Sequence, residues 1–405
     1  MDSVFEAQFR HVQNSLARDG VELEVALRPN GDVDYVYQAR RLLALDRGNN
    51  VRQIMHALPG IERVEEPVYP GLAVLSLDNA ERGFWTVPAA LEYLEERIGR
   101  RRRRSDDLPR FTPNHLTHIT RLCPGGEPVP PKPPLPWPPP KASRSGVQNQ
   151  VLIEVVDTGL LSGPLPPWLN GVVGDIDILD TLLPNGRYLI PQYTGHGTFA
   201  AGVARCMAPH SDVYVSDHFT ESGGELESKI VLKLADTVKR RVPAVLNLSA
   251  GLYTYNNQPS PGFELFHADH PGTIVVAAAG NEGGNREFYP AASSWTVSVG
   301  ALGPDQEHRA WFSNYGSWVD VWALGEGMVN AYATGDYEYR EPPKAPAVQS
   351  FDGMARWEGT SFAAPLVAGM IADHLAANAV LPAAAVQAVL AGAVPLPGVG
   401  PALPV

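Results

Sequence analysis

Residues 151–160 read VLIEVVDTGL, an apolar run that ends in Asp157, Thr158 and Gly159. A short run of Val, Ile and Leu without polar alternation is typical of a strand that is buried on both faces. Such strands belong to parallel sheets, and in open α/β sheets ligands gather at the carboxyl ends of the strands. Asp157 is therefore either a functional group in a cleft or a turn residue that ends the strand.

The same kind of run recurs downstream and alternates with helical patterns. Continuous apolar strands predict an α/β fold with a mostly parallel, doubly wound sheet that is flanked by helices. The further runs are DVYVSD (212–217), VPAVLNLSAG (242–251), TIVVAAAGN (273–281) and WTVSVGA (295–301).

The bulk composition narrows the class of protein. A chain of 405 residues is longer than one core usually supports, so we expect two domains joined by a linker. A net charge of −12 argues against nucleic acid as the main partner, because phosphate binding favours a basic surface. Cys123 and Cys206 fall in segments of different character, so neither a disulfide framework nor a zinc site is predicted.

Residues 1–32 predict one amphipathic helical extension, with Phe5, Phe9, Val12 and Leu16 spaced along one face. This start does not resemble a signal peptide, and we find no apolar stretch long enough to span a bilayer. We therefore expect a cytoplasmic protein that makes no membrane contact, although a chain trimmed of its signal peptide would look the same.

Residues 33–120 predict the order β-α-β-β-α-β, which indicates a small α+β, ferredoxin-like domain. Its second helix is predicted to start at the cap Thr86 and to end at Gly99. The run Arg100–Arg104 that follows is either a solvated helix end, or a processing site or anionic docking patch in an exposed loop. Residues 121–147 are proline-rich and predict a semi-rigid linker, with Trp137 as a candidate ligand for an aromatic groove. A second domain then covers residues 148–405.

Two more candidate groups lie at the starts of predicted helices. YTGHGTFAAGVARCMAP (193–209) places His196 between two glycines, which leave the imidazole open to a substrate. EGTSFAAPLVAGMIADHLA (358–376) places Ser361 where free backbone N–H groups could stabilise negative charge. Taken singly, His196 is equally explained as a cap or core histidine, and Ser361 as a helix cap.

Together, Asp157, His196 and Ser361 supply the orienting carboxylate, the base and the nucleophile of a catalytic relay. The alternative, a pair of aspartates that share a proton, would need a second Asp-Thr/Ser-Gly or a short chain that dimerises. The sequence contains one Asp-Thr-Gly, and α/β patterning follows it. Asp157 is therefore predicted to orient a histidine.

Six ordered motifs carry a resemblance to a known family. In chain order these motifs are VVDTGL, GHGTFAAGVA, LNLSAG, VVAAAGNEGG, FSNYGSWVDVWALG and GTSFAAPLVAG. They resemble motifs of the subtilisin-like serine proteases, the subtilases, and the resemblance covers about residues 148–395. The resemblance implies a three-layer α/β fold and a serine endopeptidase that works through an acyl-enzyme. It implies Ser361 as the nucleophile, His196 as the general base and then acid, and Asp157 as the orienter. Asn281 would donate its amide to the oxyanion beside the Ser361 backbone N–H.

The resemblance also implies where a substrate binds. One edge would pair with an extended peptide backbone, and an opposite wall would close the pocket for the side chain before the scissile bond. The edge is Ser249, Ala250 and Gly251, and the wall is Ala278, Ala279 and Gly280.

Four departures from the family pattern bear on these expectations. Phe199 stands where many relatives have a second histidine, and we expect it to affect packing. Leu324 replaces a proline, and Phe288 lies near the pocket base and is expected to narrow it. Residues 336–357 predict a long loop that could overhang the cleft.

The domain at 33–120, with its closing TPNHLTHI, resembles the family's propeptide. This implies a partner within the same chain: an inhibitory domain whose last strand fills the cleft. One hypothesis is a zymogen that is cleaved between about residue 118 and the linker, and the other is a regulatory domain that stays attached.

No cofactor is expected for the chemistry, and no metal site is assigned. Asp175, Asp177 and Asp180 could bind a structural calcium ion, but a solvated loop is the simpler interpretation. Besides a working protease on protein or peptide substrates, two functions remain open. They are a catalytically silent peptide-binding scaffold and a dedicated maturation protease for one precursor peptide.

Overall fold

The computed structural model describes residues 3–80, 86–98, 108–119, 126–142 and 150–405. The predicted positions Gly99, Arg100–Arg104 and Cys123 lie outside these ranges. The helices found there are α1 (Ser3–Ala17), α2 (Asn50–Ala57), α3 (Val87–Ile98), α4 (His196–Met207), α5 (Glu227–Arg241), α6 (Pro261–Asp269), α7 (Thr360–Ala377) and α8 (Pro382–Ala391).

The strands of the described residues are mostly short. They are β1 (Leu23–Leu27), β2 (Val33–Leu45), β3 (Glu62–Arg63), β4 (Leu72–Ser76), β5 (Phe111–Ile119), β6 (Leu152–Asp157), β7 (Leu160–Leu161), β8 (Val173–Gly174), β9 (Ile176–Asp177), β10 (Leu189–Ile190), β11 (Asp212–Asp217), β12 (Gly224–Leu226), β13 (Val245–Leu248), β14 (Ala250–Gly251), β15 (Ile274–Ala278), β16 (Val297–Leu302), β17 (Val321–Leu324), β18 (Met328–Glu338), β19 (Val348–Trp357), β20 (Val394–Leu396) and β21 (Gly400–Leu403).

The larger domain is built on a central sheet with the order β20-β21-β17-β16-β15-β13-β6-β11-β8 in the described chain. Neighbouring strands from β8 to β21 pair in parallel, and β20 pairs antiparallel at the edge. The apolar runs form these strands because both faces are covered: α4 and α7 pack on the sheet, while α5 and α6 add apolar side chains to the same core. The predicted three-layer, mostly parallel α/β fold is confirmed.

Helix α7 is deeply buried in this domain. By length and composition it could cross a membrane, but 83% of it is buried inside the fold. It contacts β13, β15, β16 and β17 and lies against α4. At the α4 contact, a Cβ on Gly369 would lie 2.5 Å from the Ala204 carbonyl oxygen and 2.7 Å from the Met207 Cβ. A glycine is therefore required at this crossing of the two helices.

The N-terminal segment forms a second, antiparallel sheet. Within residues 33–120 the described elements follow the predicted order, β2-α2-β3-β4-α3-β5, and Thr86 Oγ1 accepts a hydrogen bond from Ala89 N as a cap. The prediction of a single helix for residues 1–32 is incomplete, because β1 follows α1 and pairs with β2. Strand β5 also pairs with β12 and β14 of the larger domain, so the sheet continues across both units.

The proline-rich linker is not a free spacer in its described part, residues 126–142. Its prolines fix an extended backbone, and some of its other residues donate their N–H groups to the larger domain. Val129 N donates to Arg356 O at 3.0 Å, and Trp137 N donates to Val329 O at 2.8 Å. Residues 336–357, predicted as a loop, form most of the antiparallel β18–β19 hairpin to which this linker is bound.

We predict that Gly369→Ala lowers the free energy of unfolding by about 1–3 kcal/mol, because the added methyl group would overlap the α4 backbone. Urea unfolding in a Ser361→Ala background, which avoids self-digestion, measures the change. Gly272→Ala is the matched control, since a Cβ at Gly272 would meet no atom within 4 Å. Equal midpoints for the two variants would contradict the packing argument.

Candidate active site

The three predicted relay residues come together at the carboxyl edge of the central sheet. Asp157 is the last residue of β6, His196 is the first residue of α4, and Ser361 lies in the first turn of α7. Gly195, which precedes the histidine, has φ 88°, a left-handed conformation that a side chain would disfavour. The glycine next to the histidine therefore makes the sharp entry into α4 possible.

The imidazole of His196 is fixed by the carboxylate of Asp157. His196 Nδ1 lies 2.8 Å from both Asp157 Oδ1 and Oδ2, and Thr158 N donates to Oδ1 at 2.8 Å. Both side chains are buried. Since the carboxylate only accepts, Nδ1 carries the proton toward it, and Nε2 is the atom left to act as a base.

Aromatic rings pack around the His196 imidazole and restrict its orientation. Two of these residues, Trp357 and Phe362, were not predicted from the sequence as part of the site. Trp357 meets the His196 ring edge-on at 5.2 Å between centroids, and the Phe362 ring lies at 5.0 Å. Phe199 packs on Phe362 at 4.4 Å, as expected of a residue that affects packing. Because Phe362 directly follows Ser361, this cluster also brings the start of α7 against the histidine.

Ser361 is bound reciprocally to Ser249. Ser361 Oγ donates to Ser249 O at 3.3 Å, and Ser249 Oγ donates to Ser361 O at 2.7 Å. These bonds hold the N-terminal turn of α7 against the predicted substrate edge.

The amide of Asn281 is oriented by the residue before Ser361. Its Oδ1 accepts from both Thr360 N and Thr360 Oγ1 at 2.9 Å. Asn281 Nδ2, at the other end of the amide, then points toward Gly359. A Cβ built on Gly359 would lie 3.2 Å from this nitrogen. The donor of Asn281 therefore faces the turn that carries Ser361, where an oxyanion would form.

The predicted substrate edge holds an extended strand, which is β5 of the same chain. Ala250 is opposite Ile119 and Gly251 is opposite His118 in an antiparallel register. On its other side β5 pairs with β12, and Ile119 N donates to Gly223 O at 2.8 Å. The β12 edge was missed by sequence reasoning, because three residues without apolar alternation give no strand signal.

The opposite wall, Ala278, Ala279 and Gly280, is buried and is tied to Asn314. Asn314 Nδ2 donates to Ala279 O at 2.9 Å and to Glu282 Oε2 at 2.9 Å. A Cβ on Gly280 would lie 2.4 Å from Asn314 Nδ2, so this wall has no room for a side chain. Asn314 lies within the quoted motif FSNYGSWVDVWALG, but its role depends on a contact that spacing along the chain does not reveal.

Phe288 limits the space beside the substrate edge. Its side chain is buried and stacks edge-on against Tyr253 at 5.2 Å. A Cβ on Gly251 would lie 2.3 Å from Phe288 Cε1, so the ring is in direct contact with the edge. The expectation that Phe288 narrows this region agrees with its position.

The aspartate loop differs from the solvated loop that we expected. Asp177 is 5% exposed and Asp175 accepts from Tyr214 Oη at 2.8 Å, so these carboxyls serve protein contacts. Within the described ranges, no group of three or more His, Cys, Asp or Glu side chains could hold a metal ion. Calcium binding by these residues is not shown.

The fold and the site geometry define a protein of the subtilisin-like class, and comparisons with known proteins agree. The family model described as the subtilase family, Peptidase_S8, matches residues 148–396. This is more than half of the chain, which therefore belongs to the subtilase family.

Curated relatives are similar over about half of the chain. A thermophilic serine proteinase of Bacillus sp. (strain AK1) is 32% identical over 235 residues, 54% of this chain and 51% of the relative. Thermitase of Thermoactinomyces vulgaris is 29% identical over 230 residues, 54% of this chain and 72% of the relative. This chain therefore spans about half the length of the Bacillus proteinase.

Among solved structures, fervidolysin from Fervidobacterium pennivorans, described as a keratinolytic enzyme related to subtilisin, has a TM-score of 0.57 at 18% identity. The match covers 92% of this chain and 59% of the fervidolysin chain. At this identity the likeness concerns the fold alone, and it includes the N-terminal unit.

Proposed function

We propose that this protein is a serine endopeptidase that hydrolyses peptide bonds through Ser361, His196 and Asp157. The observation that carries the proposal is the buried contact of His196 Nδ1 with both Asp157 oxygens at 2.8 Å, beside the turn that holds Ser361. An imidazole held in this tautomer has a basic Nε2, which is what a serine nucleophile needs.

The reaction follows from these positions. Ser361 Oγ attacks the carbonyl carbon of the scissile bond, and its proton passes to His196 Nε2. The negative carbonyl oxygen is stabilised by Asn281 Nδ2, by the Ser361 backbone N–H and by the positive end of α7. The C–N bond then breaks as His196 returns the proton to the leaving amine. A water molecule then attacks the acyl-enzyme in the same way. His196 takes the proton of this water and returns it to Ser361 Oγ as the acyl group leaves.

The N-terminal unit is proposed to act as an intramolecular inhibitor of this site. Strand β5 occupies the middle position between the β12 and β14 edges, which are the backbone groups that an extended substrate would use. Its side chains add specific contacts: His115 Nδ1 lies 2.9 Å from Glu227 Oε2, and Asn114 Nδ2 donates to Ser228 Oγ at 3.0 Å. A peptide substrate has to displace these contacts before it binds.

Helix α1 adds a second layer to this inhibition. Val12 and Leu16 are buried, and they pack with Leu116 of β5 and Leu226 of β12 in one apolar cluster. Gln8 Nε2 also donates to Glu341 Oε1 at 2.7 Å in the segment that follows β18. The helix therefore contacts both strand β5 and the segment that follows β18. This arrangement supports either a zymogen or a domain that stays attached.

A fluorophosphonate probe near neutral pH tests the proposed chemistry. We expect covalent labelling of Ser361, located by peptide mass, once the N-terminal unit is cleaved or displaced, and no labelling of Ser361→Ala. A folded protein that stays unlabelled even after the N-terminal unit has been removed by limited proteolysis would favour the peptide-binding scaffold instead.

The α1 contact predicts a change in the rate of that labelling. Leu16→Ala in the full chain removes a buried side chain from the α1 cluster, which should weaken docking by about 2–4 kcal/mol and speed labelling of Ser361. Asn14→Ala is the matched control, because Asn14 is exposed on the same helix. Identical labelling rates for the two variants would show that α1 does not restrict the cleft.

Phe288 predicts a preference for small side chains before the scissile bond. Phe288→Ala should raise kcat/KM for peptides with Phe or Leu at that position by about tenfold or more relative to peptides with Ala, because the ring no longer fills the pocket. Competing peptides that differ only at this position measure the ratio. An unchanged ratio would mean that Phe288 lies outside the pocket that binds this side chain.

A further inference from the structure

We propose that Asp177, in the loop between Asp157 and His196, is a positioning residue that binds the two backbone turns carrying these side chains. The inference rests on the proposed function and adds a residue that the triad does not include. It assigns a role to a carboxyl that the sequence analysis treated as part of a solvated loop.

The carboxyl of Asp177 contacts both turns directly. Its Oδ2 accepts from Gly195 N at 2.7 Å and from Thr158 Oγ1 at 3.0 Å. Gly195 immediately precedes His196, and Thr158 immediately follows Asp157. The side chain is 5% exposed, so water does not compete effectively for these bonds.

Thr158 extends this link to the far side of the histidine. Its Oγ1 also accepts from Gly197 N at 3.3 Å, and Asp157 Oδ1 accepts from Thr158 N at 2.8 Å. A Cβ on Gly197 would lie 3.1 Å from the Asp157 Cβ, so the two turns are already in contact. The backbone on both sides of His196 is therefore tied, through one hydroxyl and one carboxyl, to the backbone beside Asp157.

The charge of Asp177 matters because Asp157 is its neighbour. Burial raises the pKa of Asp177 to about 8, and the negative charge of Asp157 acts in the same direction, against the lowering effect of Gly195 N–H and the hydroxyls of Thr158 and Thr194. The other titratable groups at this position are His196, beyond Gly195, and Tyr332, whose own pKa is raised in part by Asp177. At neutral pH the neutral carboxyl accepts these bonds without adding a second charge beside Asp157.

The sign of the pH effect follows from this shift. The folded-state pKa lies above the ordinary value of 3.8, so the neutral form contributes its full stabilisation below that value. The contribution declines as the pH rises and has been lost once the pH passes about 8. Asp177→Asn keeps an acceptor and cannot ionise, which makes it the conservative variant.

Hydrolysis by the uninhibited enzyme provides the first test. Asp177→Ala should lower kcat by about 10- to 100-fold with little change in KM, because misplacement of the base affects the transition state more than binding. Asp177→Asn should keep kcat within about threefold at pH 7 and should lose less activity than the natural protein above pH 8. Asp175→Ala is the matched control in the same loop and should leave kcat unchanged.

A second measurement does not depend on turnover. In a Ser361→Ala background, the low-field proton NMR resonance of His196 Nδ1–H reports the hydrogen bond to Asp157. This resonance is assigned by its disappearance in the His196→Ala variant. It should persist in Asp177→Asn and shift or disappear in Asp177→Ala, while the His115 Nδ1–H signal stays constant as an internal control of folding. The inference is overturned if Asp177→Ala keeps kcat, if it keeps the resonance, or if Asp177→Asn is as impaired as Asp177→Ala.

These readouts separate the inference from the proposed function. If Ser361 is never labelled and no peptide is hydrolysed, the protease proposal fails, whereas the resonance still decides whether Asp177 positions the histidine. If hydrolysis occurs and Asp177→Ala is as active as the natural protein, the protease proposal stands and the positioning role is wrong.

Discussion

The contact between His196 Nδ1 and the Asp157 carboxylate joins the end of β6 to the start of α4, two elements that the chain separates by 39 residues. A buried carboxylate is costly unless several donors satisfy it, so the surrounding backbone has to meet it at fixed positions. The Thr158 N–H and the imidazole provide these donors. The central sheet and the packing of α4 against α7 hold the two elements in this geometry.

The cleft beside this contact is an extension of a sheet, so the proposed inhibition and the proposed substrate binding would use the same backbone edges. The backbone edges of β12 and β14 pair with an extended strand, and in this chain that strand is β5. A strand that is covalently attached acts at a high effective concentration, so a free peptide competes poorly until the attachment is cut or the unit is displaced. In the proposed inhibition, the packing of α1 against β5 and β12 would make this strand harder to displace.

The described part of the linker is bound to the larger domain. Residues 126–142 pair with the β18–β19 hairpin, and Trp357 at the end of that hairpin donates Nε1–H to Gly126 O while its ring edge meets His196. The linker therefore packs with the larger domain and supports the aromatic cluster around the imidazole. A proline-rich segment suits this role, because its backbone is already extended and loses little conformational entropy on binding.

The sequence by itself determined the apolar strands of the central sheet, the order of elements in residues 33–120 and the candidates Asp157, His196, Ser361 and Asn281, because these depend on local periodicity and motifs. Only the tertiary structure decided that Asp177 is buried, that β12 forms an edge and that the linker is bound. Each of these depends on contacts between segments that are distant in the chain. A carboxyl in a polar loop and a three-residue strand give the same local signal whether they are exposed or enclosed, and only the packing of other elements against them distinguishes the two.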